Sequence, residues 1–194
     1  MSLINGNDGG WWAGEKKQKI DGKMKKDFNR YLKSLDAKSL SNELKKLYDK
    51  FDLVRKYYEI ELGQNSDAIV KEYKHKIKKE YFPTRGYGAA RSSVSKKIIS
   101  EFRKVSVHNS DVVELLLYRT EMMLEYTLAY GDIDEAFYNS LCSSFSQACK
   151  IISKDALQEY YRDYCLRLIS MSEGFGWGVY YDLSEEYKQC FNPQ

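Results

Sequence analysis

At 194 residues the chain suits one domain with a real core and is short for two, on a scale of roughly 100 to 200 residues per domain. Its net charge of +3 hides a division: residues 1–110 carry 25 Lys+Arg against 14 Asp+Glu and residues 111–194 carry 6 against 14, so the halves stand at +11 and −8. No apolar run reaches the roughly 18 residues that a bilayer span needs, and no leader pattern opens the chain, which argues against a membrane or secreted class and makes a cytoplasmic location the expectation.

Residues 1–23 hold five glycines and a lysine cluster without any period, and they are expected to form a flexible tail ahead of one helical domain at 24–194. Trp11 and Trp12 stand out in that tail, because paired exposed indoles are unfavourable in water, and docking on the body or on a neighbouring molecule is the alternative to disorder for them. Phe28, Tyr31, Leu32 and Leu35 predict a short first helix, and Asp36 is a good N-cap for the second. Leu40, Leu44, Leu47, Phe51, Val54, Tyr58 and Leu62 alternate steps of four and three, which predicts that this second helix runs up to Gly63 with a core face.

Asn65 or Ser66 is placed to cap the third helix, whose inner face is Ile69, Tyr73, Ile77 and Tyr81. Pro83 ends that helix, since proline offers no N–H and pushes its predecessor out of the α region. Ser92 or Ser93 is placed to cap a fourth helix carried by Val94, Ile98, Phe102 and Val105. After Asn109 or Ser110, Val112 through Leu128 form an apolar surface too broad for a surface helix, which predicts a central one. Phe137, Leu141, Phe145, Ala148 and Ile152 mark a sixth helix; Leu157 to Met171 mark a seventh. Gly174 to Tyr181 is an aromatic, glycine-rich loop before a last helix at about 183–191. Strand signals are nearly absent, so the expected fold is all-α, a bundle or short stack of hairpins with 7–8 helices.

The charge division points to a polyanion or an acidic partner on the basic side, or to attraction between the halves within or between molecules. Residues 71–104 concentrate it, with 11 Lys+Arg against Glu72, Glu80 and Glu101. Lys71, Lys74, Lys78, Arg85, Arg91, Lys96 and Lys97 are therefore the candidate anion-binding residues, with Arg85 and Arg91 beside the free N–H groups of the fourth helix. A solvated basic face neutralised by the acidic half explains the same residues. The spacing is not that of a P-loop.

Cys142, Cys149, Cys165 and Cys190 show neither zinc-ligand spacing nor a redox pair and read as buried, reduced thiols. Glu114, Glu121 and Glu125 lack the Glu-x-x-His of a di-iron bundle and read as a solvated acidic face. His75 reads as solvent-facing. No cofactor fingerprint and no metal set is present. Tyrosine is abundant, 17 residues against 8 Phe, and its polar tip suits grooves and interfaces.

Lys25-Lys26 to Tyr31-Leu32, Leu44 to Tyr48, Lys79-Glu80-Tyr81-Phe82-Pro83, Arg91-Ser92-Ser93-Val94 and Ala136-Phe137-Tyr138 together resemble a family of small uncharacterised bacterial proteins, a domain of unknown function, over residues 24 to about 153. The resemblance implies a bacterial, cytoplasmic protein and brings no catalytic residue or cofactor. It leaves out the first 23 residues and the aromatic C-terminal segment. Separately, Arg103 and His108 form an Arg-x-x-x-x-His that resembles the pair of the helical HEPN-type ribonucleases, with Lys104 where that family often has Asn, Asp or His; the pair suits proton exchange and phosphate charge stabilisation. The reading is a non-enzymatic helical interaction protein with a basic face for nucleic acid or an acidic protein surface. The alternatives are such a ribonuclease, or a homo-oligomer joined through its oppositely charged halves.

Overall fold

The computed structural model of the chain describes residues 10–63 and 66–192, with side chains from residue 22 onward. Among them lie nine α-helices and no strand: α1 Gly10–Ser34, α2 Ala37–Lys50, α3 Asp52–Glu61, α4 Ser66–Tyr81, α5 Ser92–Phe102, α6 Asn109–Tyr130, α7 Glu135–Lys154, α8 Gln158–Met171 and α9 Val179–Phe191. The all-α class is as expected, and the extra helix arises where one long helix was predicted across 40–62. The chain leaves the helix at Phe51, whose φ of −119° and ψ of 115° are extended, and Asp52 begins α3. A carboxylate in the first turn favours a new helix start there. The step-of-four-and-three pattern continues across this one extended residue, so periodicity alone does not reveal it.

Two units divide the chain, Met1–Asp52 and Leu53–Gln194. In the first, α1 takes in residues 10–23 of the stretch read as a tail, while residues 1–9 and the side chains of Trp11 and Trp12 lie outside the described residues. Asp36 caps α2 as predicted, its carboxylate accepting from the Ser39 N–H at 2.7 Å. The predicted core face does not hold: α2 buries no residue, and Leu44, Leu47 and Phe51 are 50%, 39% and 45% exposed. The amphipathic pattern there is genuine, yet these three residues of it stay largely open to solvent.

The second unit is a bundle built around α6. Val112, Val113, Leu115, Leu116, Leu117, Met122, Met123 and Leu124 are all buried, so α6 is apolar on most of its circumference and packs on α4, α5, α7 and α8. The predicted inner faces of α4 (Ile69, Tyr73, Ile77, Tyr81) and α7 (Phe137, Leu141, Phe145, Ala148, Ile152) are buried without exception. Helix α9 closes on α7 and α8. Of the face predicted for α5, Phe102 and, just beyond the helix, Val105 are buried, whereas Val94 and Ile98 are only half-buried and their neighbours Ser95 and Ile99 take the inner positions. Arg91 and His108 occupy the cap positions of α5 and α6 without a side-chain cap bond, one residue before the expected Ser92 and Asn109.

The loop from Phe82 to Arg91 folds back over the end of α4. The Ala90 N–H donates to the Glu80 carbonyl at 3.1 Å, and the Tyr126 hydroxyl donates to the Gly88 carbonyl at 3.2 Å. Glu80 accepts from the Arg91 N–H at 3.0 Å and from its guanidinium at 2.8 and 3.2 Å. These contacts, the Arg91 side chain first, hold the Glu80 carboxyl below its ordinary value of 4.5. A depressed folded-state value adds stability that is present above pH 4.5 and lost as pH falls through the folded value. Urea midpoints across that window should therefore fall less steeply for Glu80→Gln than for the wild type; equal slopes would remove Glu80 from the acid response.

Candidate anion-binding cleft

Helices α5, α6 and α7 enclose a cleft of about 270 Å³. Lys96, Ser100 and Arg103 come from α5 and its C-cap, Arg119 from the middle of α6, and Ser140, Ser143, Ser144 and Gln147 from one face of α7, with Ile99 and Leu116 as apolar floor. The lining contains three cations, four hydroxyls, one amide and no carboxylate.

Arg119 dominates the chemistry. It is 2% exposed, and no acid pairs with it among the described residues. Its Nε–H donates to Ser95 Oγ at 2.8 Å, Nη1 to the Ser140 carbonyl at 2.9 Å, and Nη2 to the Ser92 carbonyl at 3.2 Å and Ser140 Oγ at 2.7 Å. Four of the five N–H groups of a guanidinium are thus held by neutral oxygens. Burial pulls its pKa below the ordinary value and Tyr81 opposes this, yet arginine stays charged in proteins. Tyr81 lies behind it, its hydroxyl 2.7 Å from Ser95 Oγ. Ser95 Oγ also donates to the Ser92 carbonyl at 3.2 Å. At the mouth, Arg103 Nη2 donates to Gln147 Oε1 at 3.2 Å, and Gln147 Nε2 donates to the Ser143 carbonyl at 3.1 Å. Lys96 makes no ion pair among the described residues.

Of the seven basic residues singled out from sequence, Lys96 lines this cleft. Lys74 is taken by Glu114 at 2.7 Å and lies over the Tyr118 ring at 5.0 Å. Arg91 is taken by Glu80. Lys71, Lys78, Arg85 and Lys97 are exposed and make no ion pair among the described residues, with Lys78 close enough to Glu125 to lower its pKa. The Arg103 and His108 pair is divided: Arg103 lines the cleft, whereas the exposed His108 caps α6 and its carbonyl accepts from Ser106 Oγ at 2.9 Å. His75 is exposed, as expected.

Arg119 and the α7 serines were not among the sequence candidates. Two signals mark them: Arg119 is the only basic residue of α6, and Ser140, Ser143, Ser144 and Gln147 lie at helical spacing on a face beside the buried Leu141 and Phe145.

The acidic face of α6 departs from expectation. Glu121 is 9% exposed, not solvated; its carboxylate accepts from the Tyr164 hydroxyl and the Arg167 guanidinium. Burial, and after it the like charge of Glu121, raises the Glu125 carboxyl. No group of three or more His, Cys, Asp or Glu is placed to hold a metal among the described residues. All four cysteines are free thiols, three buried and Cys142 half-buried. Burial pushes Cys142 and Cys190 up to about 12, so neither is a thiolate at neutral pH.

Fold and cleft define an all-helical protein with an acid-free cleft that holds one buried cation, Arg119. The chain belongs to the family of unknown function DUF6155, which it matches over residues 23–189. That span runs past the resemblance seen in the sequence and takes in α8, the aromatic loop and α9 up to residue 189. No curated protein and no solved structure matches the chain. No described helix is long and apolar enough to cross a membrane.

Proposed function

We propose that this chain is a binding protein that seats a phosphate group of a nucleic-acid partner in the α5–α6–α7 cleft. The observation that carries this reading is the lining itself, three cations with hydroxyl donors and no acid, one of the cations buried without a carboxylate. A tetrahedral oxyanion has enough acceptor lone pairs for a guanidinium, an ammonium and several hydroxyls together, and charge-assisted bonds of this kind are the strong ones. Lys97 and Lys104, exposed and adjacent in sequence to Lys96 and Arg103, add to the positive charge of α5 and the turn after it.

Titration of the full chain with a short single-stranded RNA at increasing salt tests it. Binding should weaken linearly on a logarithmic salt scale, and Lys96→Ala should reduce the slope by roughly 0.7, the share of one phosphate contact on a single strand. Absence of RNA binding at low salt, or a slope untouched by Lys96→Ala and Arg103→Ala, overturns the reading. Tighter binding to polyglutamate than to RNA would assign the cleft to an acidic protein instead. If the bound RNA were cut, loss of cutting in His108→Ala would favour the ribonuclease reading.

A further inference from the structure

The turn from α8 into α9 encloses a second cavity, about 440 Å³, of opposite character. Its side-chain walls are Phe175, Trp177, Tyr180, Tyr181 and Glu173, and the remainder is glycine backbone. Residues 168–187 contain no Lys or Arg and carry Glu173, Asp182, Glu185 and Glu186.

Two of the rings, Phe175 and Tyr180, pack against the core. The other two stand in solvent, Trp177 at 55% and Tyr181 at 77% exposure. Trp177 adopts a φ of 59°, a left-handed conformation that a bulky residue seldom takes. Its indole N–H donates to Asp132 Oδ2 at 3.3 Å, and Asp132 also accepts from the Tyr138 hydroxyl. The chain thus holds a strained tryptophan at the surface by a bond to α7's entry loop, and strain of this sort gathers at ligand clamps.

The geometry points to a binding site for an alkylated ammonium, seated against the Trp177, Tyr181, Tyr180 and Phe175 rings with Glu173 as counter-charge. Aromatic faces are electronegative and attract a cation lying over them. An alkylated ammonium is preferred over a bare one because its methyl groups bury well on rings, whereas a bare ammonium is a compact, strongly hydrated charge. The chemistry is shared by a free choline-like cation and by a methylated lysine side chain. This inference does not rest on the phosphate cleft, whose ligand has the opposite charge.

The indole N–H resonance of Trp177, identified by its loss in Trp177→Phe, reports occupancy in the full-length protein. Tetramethylammonium and choline should shift it saturably, and the neutral isostere 3,3-dimethylbutanol should not. Trp177→Leu, tested by calorimetry, should weaken choline binding by about tenfold, the scale of one desolvated ring contact. Glu173→Gln should weaken it with an unchanged circular-dichroism spectrum, and this exposed position decides the matter should Trp177→Leu fail to fold. Tighter binding of a trimethyl-lysine peptide than of choline assigns the site to a modified protein; the reverse assigns it to a free cation. Equal binding of the neutral isostere, or no saturable shift with any cation, overturns the proposal.

Discussion

Gly88→Ala is expected to destabilise the second unit severely, by about 3 kcal/mol or more, at the upper end of what overpacking costs. A Cβ added at Gly88 would lie 1.9 Å from the Tyr81 carbonyl oxygen, 2.4 Å from its carbon and 2.8 Å from its Cα. All three are backbone atoms of the last turn of α4, so no rotamer change relieves the clash. The loop must lift instead, and with it go the Tyr126 bond to the Gly88 carbonyl and the Glu80 contacts to Arg91. Because α5 starts at Ser92, displacement also disturbs the Ser92 and Ser95 oxygens that hold Arg119. Chemical denaturation should show the lower midpoint, and anion binding should weaken with it. By contrast Gly86→Ala meets no atom within 4 Å but sits at a φ of 74°, so its cost is confined to local backbone strain. If Gly88→Ala behaved no worse than Gly86→Ala, the close approach of loop and helix would be disproved.

Arg119→Met carries the second large effect, and it separates binding from scaffolding. Taking a charge out of water costs several kcal/mol, which the neutral oxygens around Arg119 offset only in part. Replacement of a buried charge by an apolar residue of similar length is often neutral or stabilising. The variant should therefore stay folded with little change in Tm, and it should lose its response to anions. Inorganic phosphate at a hundred times its Kd stabilises a protein that binds it by about 2.7 kcal/mol; the wild type should show a shift of that order and Arg119→Met none. A purely structural Arg119 predicts the opposite pair of results: no phosphate response in the wild type, and a loss in the variant of about 1–3 kcal/mol for each buried acceptor left without a donor.

Helices α4 and α7 were legible because burial wrote a period of 3.6 into them, and each predicted inner-face residue of the two is indeed inside; α6 was legible from the breadth of its apolar surface. The stripe from Leu40 to Leu62 shows the limit of that signal. It reports that one face is apolar, not that anything covers it, and a single extended residue at Phe51 leaves its spacing intact. The basic residues show a different limit. Charge can be counted along a chain, but whether Lys74 or Arg91 is free depends on Glu114 and Glu80, the first of them 40 residues away from its partner. Arg119 was hidden for the reverse reason, because a lone cation in an apolar helix contributes almost nothing to a charge run. Its meaning appears only when α5 and α7 bring serines to it. Glu121 similarly read as one of three solvated acids until Tyr164 and Arg167, from α8, enclosed it.

Ser95 fixes more than its size implies. Its oxygen meets the Ser92 carbonyl, the Arg119 Nε–H and the Tyr81 hydroxyl, and in the contact with Tyr81 either oxygen can be the donor. The Ser95 proton can thus point to Ser92 or to Tyr81 with no heavy atom moving. The oxygens around Arg119 keep their places in both arrangements, so the proposed anion site is ordered when the chain folds.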